Sequence, residues 1–199
     1  ISQGGLTLGQ KDYYLNNDSA TVAIRNAFKQ HIARMFRLYG FNEEQARQKA
    51  DVVFKNETAL ALISKSMTEL RDPEANYNKI TLKEFKTRYP NLPLEAITNS
   101  EGINSKYIQD MVVGQPQFLE GYDKIYAAAT AEDLRAQMEW DLIMSSASYL
   151  TDEIRNANFE FFGQTMSGRK VDYPLWKRAT SQVEAQMGEA LGKMYVQRY

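Results

Sequence analysis

The chain has 199 residues, with 24 Lys and Arg against 25 Asp and Glu, one His and no Cys. That length supports a hydrophobic core, while the missing cysteines exclude disulfide scaffolds and thiolate metal sites. A formal net charge of −1 supplies no general attraction to nucleic acid, and no apolar run approaches the roughly 20 residues of a membrane helix.

The opening residues, Ile1 to Gly5, show neither an initiator Met nor a signal-peptide pattern, so the chain reads as an excised or processed piece. Ile24, Phe28, His31, Ile32, Met35, Phe36 and Tyr39 then recur at three- and four-residue steps. This predicts a helix over 20–39, started by Asp18 or Ser19 and closed by Gly40. Any His-dependent catalyst or zinc site would have to use His31, whose helical neighbours Ala27, Phe28, Arg34 and Met35 include no second ligand and no orienting carboxylate. His31 is therefore read as a helix-surface or packing residue. Arg25, Lys29, Arg34 and Arg37 share this helix without an acid, but at 100° per residue they spread over half its circumference. They fit a solvated face paired with acids elsewhere better than an anion-binding row.

Asn42 and Gln45 predict the capped start of a second helix, which meets no breaker until Asp72-Pro73. Such a helix would span about 30 residues and roughly 45 Å, with an apolar stripe from Ala46 through Val53, Leu60 and Ile63 to Met67 and Leu70. Thr81 and Glu84 form a capping box for a short helix that Pro90 ends near Arg88. Between Pro90 and Pro116 the sequence predicts loops and short helix, with Met111-Val112-Val113 as the strand candidate. Pro116 opens a helix through Phe118, Tyr122 and Ile125, Thr130 caps one through Leu134, Met138 and Leu142, and Thr151 caps another ending at Gly163.

The final helix, from Pro174, carries Trp176, Val183, Met187 and Met194 on one face and is expected to bury that stripe. Gly188 and Gly192, one turn apart, invite a neighbouring helix to approach. Phe159, Phe161, Phe162 and Trp176 read as core rather than as an aromatic binding surface. Glu132-Asp133 and Asp152-Glu153 sit at helix N-termini, where the dipole favours them, and lack the further ligands of a metal site. The sequons Asn17-Asp-Ser19 and Asn56-Glu-Thr58 are treated as chance. The expected fold is all-α and more than half helical: one irregular multi-helix domain over 1–199 with long amphipathic helices and at most a minimal strand near 111–113. From residue types alone, the chain holds no self-contained catalytic machinery.

Five phrases add to this. Gly5-Leu-Thr-Leu-Gly-Gln-Lys-Asp-Tyr-Tyr14, Tyr77-Asn-Lys-Ile-Thr-Leu82, Glu139-Trp-Asp-Leu-Ile143, Pro174-Leu-Trp-Lys-Arg178 and Gly188-Glu-Ala-Leu-Gly-Lys-Met-Tyr-Val196 occur in this order. Together they resemble the neprilysin and endothelin-converting-enzyme family of zinc metallopeptidases. The resemblance implies the central part of that family's N-terminal helical region. Family members hold zinc through His-Glu-x-x-His and a downstream Glu-x-x-x-Asp helix, and neither motif occurs here. No catalytic, cofactor-binding or metal residue is therefore carried over. The parent's zinc would lie outside this chain.

The implied partners are the catalytic half of the same polypeptide and peptide substrates, with no nucleic acid and no membrane segment in this chain. The implied setting is extracytoplasmic. Where animal members have Cys after Trp-(Arg/Lys)-Arg, this chain has Ala179, which fits a bacterial, exported homologue. The competing expectation is a stand-alone helical module that binds a protein or peptide.

Overall fold

Helix starts follow the capping chemistry. The Asp18 carboxylate accepts the Thr21 amide and opens α2, Ser19–Tyr39, which ends on Gly40. Reciprocal boxes between Asn42 and Gln45, Thr81 and Glu84, and Thr130 and Asp133 start α3 (Glu43–Ile63), α4 (Leu82–Arg88) and α7 (Ala131–Ser146). Each satisfies donors that the first helical turn would otherwise leave unpaired. Pro116 occupies the first position of α6, Pro116–Ala128. The remaining helices are α1 (Asp12–Leu15), α5 (Leu94–Ser100), α8 (Asp152–Asn158) and α9 (Leu175–Arg198).

The computed structural model describes residues 1–199, the side chain of Ser105 excepted. Helices occupy 67% of the chain, and the only sheet among the described residues is a two-stranded antiparallel ribbon. In it, β1 (Asn78–Thr81) pairs with β2 (Asp110–Val113), Asn78 opposite Val113 and Thr81 opposite Asp110. The fold is the mostly α one expected.

Residues 1–157 and 158–199 form two compact units. In the first, α3 is the hub, packed against α1, α2, α6 and α7. Phe28, Ile32, Met35 and Phe36 from α2 meet Ala50 and Val53 from α3 and Trp140 and Ile143 from α7, all buried. The small residues Ala46, Ala50 and Ala61 of α3 leave room for the large rings opposite. A second cluster joins the ribbon to the helices: Ile80, Phe85, Tyr89, Val113, Phe118 and Leu119. Gly121 allows α6 to approach α3, since a Cβ there would lie 2.7 Å from Ile63 Cγ2. On α6, buried Asp123 accepts the backbone and side-chain N–H groups of Asn91, each at 2.8 Å, and pins the turn after α4.

The long helix of the sequence reading is shorter than expected. α3 stops at Ile63, because Ser64 turns extended and its hydroxyl donates back to the Leu60 carbonyl. Gln3 then takes both main-chain groups of Lys65, accepting its amide at 2.8 Å and donating to its carbonyl at 3.0 Å. Met67 and Leu70 consequently leave the helical stripe, and Met67 is exposed.

In the second unit, the helical path does not end at Gly163. It continues as a π-helix, Phe159–Met166, with Phe161 buried and set edge-on against Phe162 at 4.8 Å. A Cβ on Gly163 would lie 2.3 Å from the Phe159 ring, so the wide turn depends on glycine. α9 buries none of its residues among the described ones, and its backbone kinks at Met187. Trp176 is 69% exposed and Met187 is exposed too, contrary to the expected buried stripe. Nothing lies within 4 Å of a Cβ built on Gly188 or Gly192. Of the aromatic cluster, Phe161 belongs to a core and Trp176 does not.

Candidate functional site

The most concentrated polar chemistry in the first unit surrounds Glu57, a fully buried carboxylate on the apolar face of α3. The turn before α1 brings the Thr7 amide to Glu57 Oε2 at 3.0 Å and the Thr7 hydroxyl to Oε1 at 2.5 Å. The Tyr14 hydroxyl, from α1, donates to Oε2 and accepts the Leu8 amide. Trp140 Nε1, from α7, donates to the Thr7 hydroxyl oxygen at 2.9 Å. Proton directions follow from donor types. An indole N–H can only donate, so the Thr7 hydroxyl must pass its own proton on to Glu57, and the Tyr14 hydroxyl, already accepting from Leu8, does the same.

Three donors thus favour the ionised carboxylate, while burial and, less strongly, the charge of Asp141 oppose it. Burial dominates and holds the Glu57 carboxyl above the usual glutamate range. The same burial and the facing carboxylate raise the Tyr14 hydroxyl, which keeps its proton. No cation pairs with Glu57 among the described residues. With its oxygens committed to the protein's own groups, the cluster ties the 7–14 segment to α3 and α7. It is a clasp, and its geometry leaves no reacting atom a place to sit.

His31 is buried in α2 with its ring edge-on to Trp140 at 5.9 Å, the packing place expected for it. Among the described residues, no three His, Asp or Glu side chains come together in a metal-holding group. The basic residues of α2 find separate partners: Lys29 pairs with Asp51 at 3.0 Å, Arg37 with Glu43 at 3.0 Å, and Arg25 donates to the Tyr14 carbonyl and to Asn17. Asn56 donates to the Asp133 carbonyl at 3.4 Å. The Glu57 clasp was not anticipated from sequence, although an acid at the four-residue step between Val53 and Ala61 marks it.

On α9, Trp176 and Val183 precede the kink at Met187 and Met194 follows it, and all four side chains are exposed. No helix of the described residues is long and apolar enough to cross a membrane.

Fold and site define a mostly helical region without an assembled catalytic or metal centre among its described residues. The sequence profile of the N-terminal part of peptidase family M13 matches residues 1–199. Endothelin-converting enzyme 1 of Homo sapiens is 29% identical over 201 residues, covering 98% of this chain and 26% of the relative. An endothelin-converting enzyme homolog of Locusta migratoria is 27% identical, covering 98% and 28%. Among solved structures, Mycobacterium tuberculosis zinc metalloprotease Zmp1 in its open state superposes with a TM-score of 0.94 at 33% identity, over 99% of this chain and 30% of that one. Its inhibitor complex gives the same score and identity over 100% of this chain, again 30% of Zmp1.

The chain therefore belongs to peptidase family M13, the neprilysin family that the five phrases resemble, and is its non-catalytic N-terminal helical part. It spans about a quarter of the length of the curated relatives it matches.

Proposed function

We propose that residues 1–199 are the substrate-enclosing helical portion of a zinc metalloendopeptidase, and that the catalytic remainder of the same polypeptide covers the bare face of α9. In this reading the parent hydrolyses peptide bonds with a zinc held outside this chain, and it does so in an extracytoplasmic, bacterial setting. The observation that carries the reading is the exposure of α9. α9 has 24 residues with a kink at Met187, and leaves Trp176, Val183, Met187 and Met194 in solvent. Exposed apolar area of that extent marks an interaction surface. The relatives supply an occupant, since roughly 70% of Zmp1 lies beyond the matched part. Zmp1 has been solved in open and partially open states, which supports access by separation of the two portions.

The test uses the full-length parent with one cysteine at Met194 and one in the facing catalytic portion. Oxidation should suppress hydrolysis of a peptide at least about ten-fold, and reductant should restore it, because entry then needs a domain motion that the staple forbids. Unchanged turnover with the staple verified would overturn the enclosing role and leave the helical region as a scaffold or partner-binding part of the parent.

A further inference from the structure

The ribbon in the first unit has an outer edge that the enclosing role does not use. In an extended strand the N–H and C=O of one residue point to the same side, and successive residues point to opposite sides. β2 pairs with β1 through Asn78 opposite Val113 and Ile80 opposite Met111, and the Leu82 amide continues that ladder by donating to the Gln109 carbonyl at 3.2 Å. Gln109, Met111 and Val113 therefore turn their main-chain groups toward β1. Asp110 and Val112 turn theirs away from it.

Ile1 lies on that outward side. Its nitrogen donates to the Val112 carbonyl at 2.6 Å, and its carbonyl accepts the Gly114 amide at 2.8 Å. One residue bonded to the C=O before and the N–H after the residue opposite it is the pattern of a parallel pair, so Ile1 stands in register with Val113 on a path parallel to β2. The connection from Ile1 to β2 runs through α1 to α5, ample for the crossover that parallel strands require. Beyond Ile1 the chain leaves the edge, and the Gln3 amide turns to Gln115 Oε1 at 2.8 Å. Toward the start of β2, the Val112 N–H and the N–H and C=O of Asp110 have no main-chain partner among the described residues. Nothing in the strand blunts this edge: it holds no proline, Val112 is 36% exposed, and the Asp110 carboxylate is drawn to Lys79 of β1 at 2.7 Å.

Such an edge is completed by an extended segment that adds its own N–H and C=O groups. The direction of Ile1 says which segment. Extending its register backward sets the residue directly before Ile1 beside Val112, the next beside Met111 and the third beside Asp110. The chain covers 26% of endothelin-converting enzyme 1, so a relative's polypeptide extends well outside the matched part. We propose that the residues immediately before Ile1 in the parent polypeptide form a third strand on this edge, parallel to β2, and convert the ribbon into a mixed three-stranded sheet. In the parent the Ile1 nitrogen is a peptide N–H that keeps its bond to Val112. The proposal rests on the chain being part of a longer polypeptide and not on the enclosing role, so either can fail alone.

The test is residue-resolved hydrogen exchange on the full-length parent. The Val112 amide should be protected to within about ten-fold of the Met111 and Val113 amides, which face β1. Proline at the second position before Ile1, whose N–H would donate to the Asp110 carbonyl, should speed Val112 exchange at least about ten-fold. Proline directly before Ile1, whose N–H faces away from β2, should change it by less than about three-fold. A second reading needs no folded proline variant: with Val112 replaced by p-benzoylphenylalanine, photo-crosslinks in the parent should fall on the few residues before Ile1. A Val112 amide that exchanges freely in the parent, equal effects of the two prolines, crosslinks to another region of the parent, or crosslinks between two molecules would each overturn the proposal.

Discussion

Replacing Tyr14 by Phe probes the Glu57 clasp with almost no change of shape. The ring stays edge-on to Phe28 at 6.2 Å and stacked on Phe54 at 6.2 Å, so packing is retained. What disappears is one hydroxyl with two duties. The Leu8 amide loses its acceptor, and Glu57 loses one of three donors. A hydrogen bond to a charged group contributes about 1.5 to 3 kcal/mol net, and an unsatisfied buried donor costs a comparable amount. A destabilisation of about 2 to 3 kcal/mol follows. With a urea slope near 2 kcal/mol per molar for a unit of this size, the midpoint should fall by about 1 to 1.5 M.

The transition can be read from Trp140, which is fully buried, in a Trp176→Phe background that removes the exposed second indole. Tyr13→Phe is the control, because the Tyr13 hydroxyl makes no hydrogen bond among the described residues, and it should move the midpoint by less than about 0.3 M. Thr7→Val breaks the same cluster from its other side, so Thr7→Val with Tyr14→Phe should cost less than the sum of the two. A Tyr14→Phe midpoint indistinguishable from the Tyr13 control would refute the clasp.

Glu57→Gln tests the charge within the same cluster. Its carboxyl lies above the usual range in the folded state, so Glu57 contributes stability that is fully present below the unfolded glutamate pKa and is lost as pH rises through the folded one. Urea midpoints at pH 5 and pH 8 should therefore show the native chain losing ground to Glu57→Gln at the higher pH, and a trend of opposite sign would count against the burial argument. Gly121→Ala should destabilise by about 1 to 3 kcal/mol, because the new methyl meets Ile63 where α6 crosses α3; thermal unfolding by circular dichroism reads it. Met194→Ala should leave the 199-residue chain within about 0.5 kcal/mol of native, since Met194 is exposed, while lowering the melting temperature of the full-length parent.

Helix starts were the legible part of this fold because their chemistry is local. Asn42, Thr81 and Thr130 each find a partner three residues on, and Pro116 needs only its own ring geometry. Ends set by distant residues were not legible. α3 stops where Gln3, 62 residues away in sequence, takes over the main-chain bonds of Lys65. The strand at Met111 to Val113 could be anticipated, but its partner β1 lies where the Thr81 capping box drew attention instead. The π-helix depends on one ring, Phe159, lying over one glycine, a contact that no apolar period encodes. For α9 the stripe was readable and its burial was not, since periodicity says which residues share a face and nothing about what covers it. The five phrases located the family. Thr7 and Tyr14 of the first phrase and Trp140 of the third turn out to meet in one clasp, which gives part of that resemblance a structural reason.

That clasp also imposes an order on synthesis. Thr7 and Trp140 are separated by 133 residues, a stretch that takes roughly 7 to 27 s to translate at 5 to 20 residues per second. Glu57 arrives earlier, 50 residues after Thr7, yet α7 is still missing from the wall that buries it. For most of that interval the Gly5 to Tyr14 segment has left the ribosome without the indole that completes its bonding. It is an early-made, late-docked strip, the kind of long-range closure that slows folding. Nascent chains stalled just short of Trp140 should therefore be open to protease within residues 5–14, and chains stalled well beyond α7 should be resistant there.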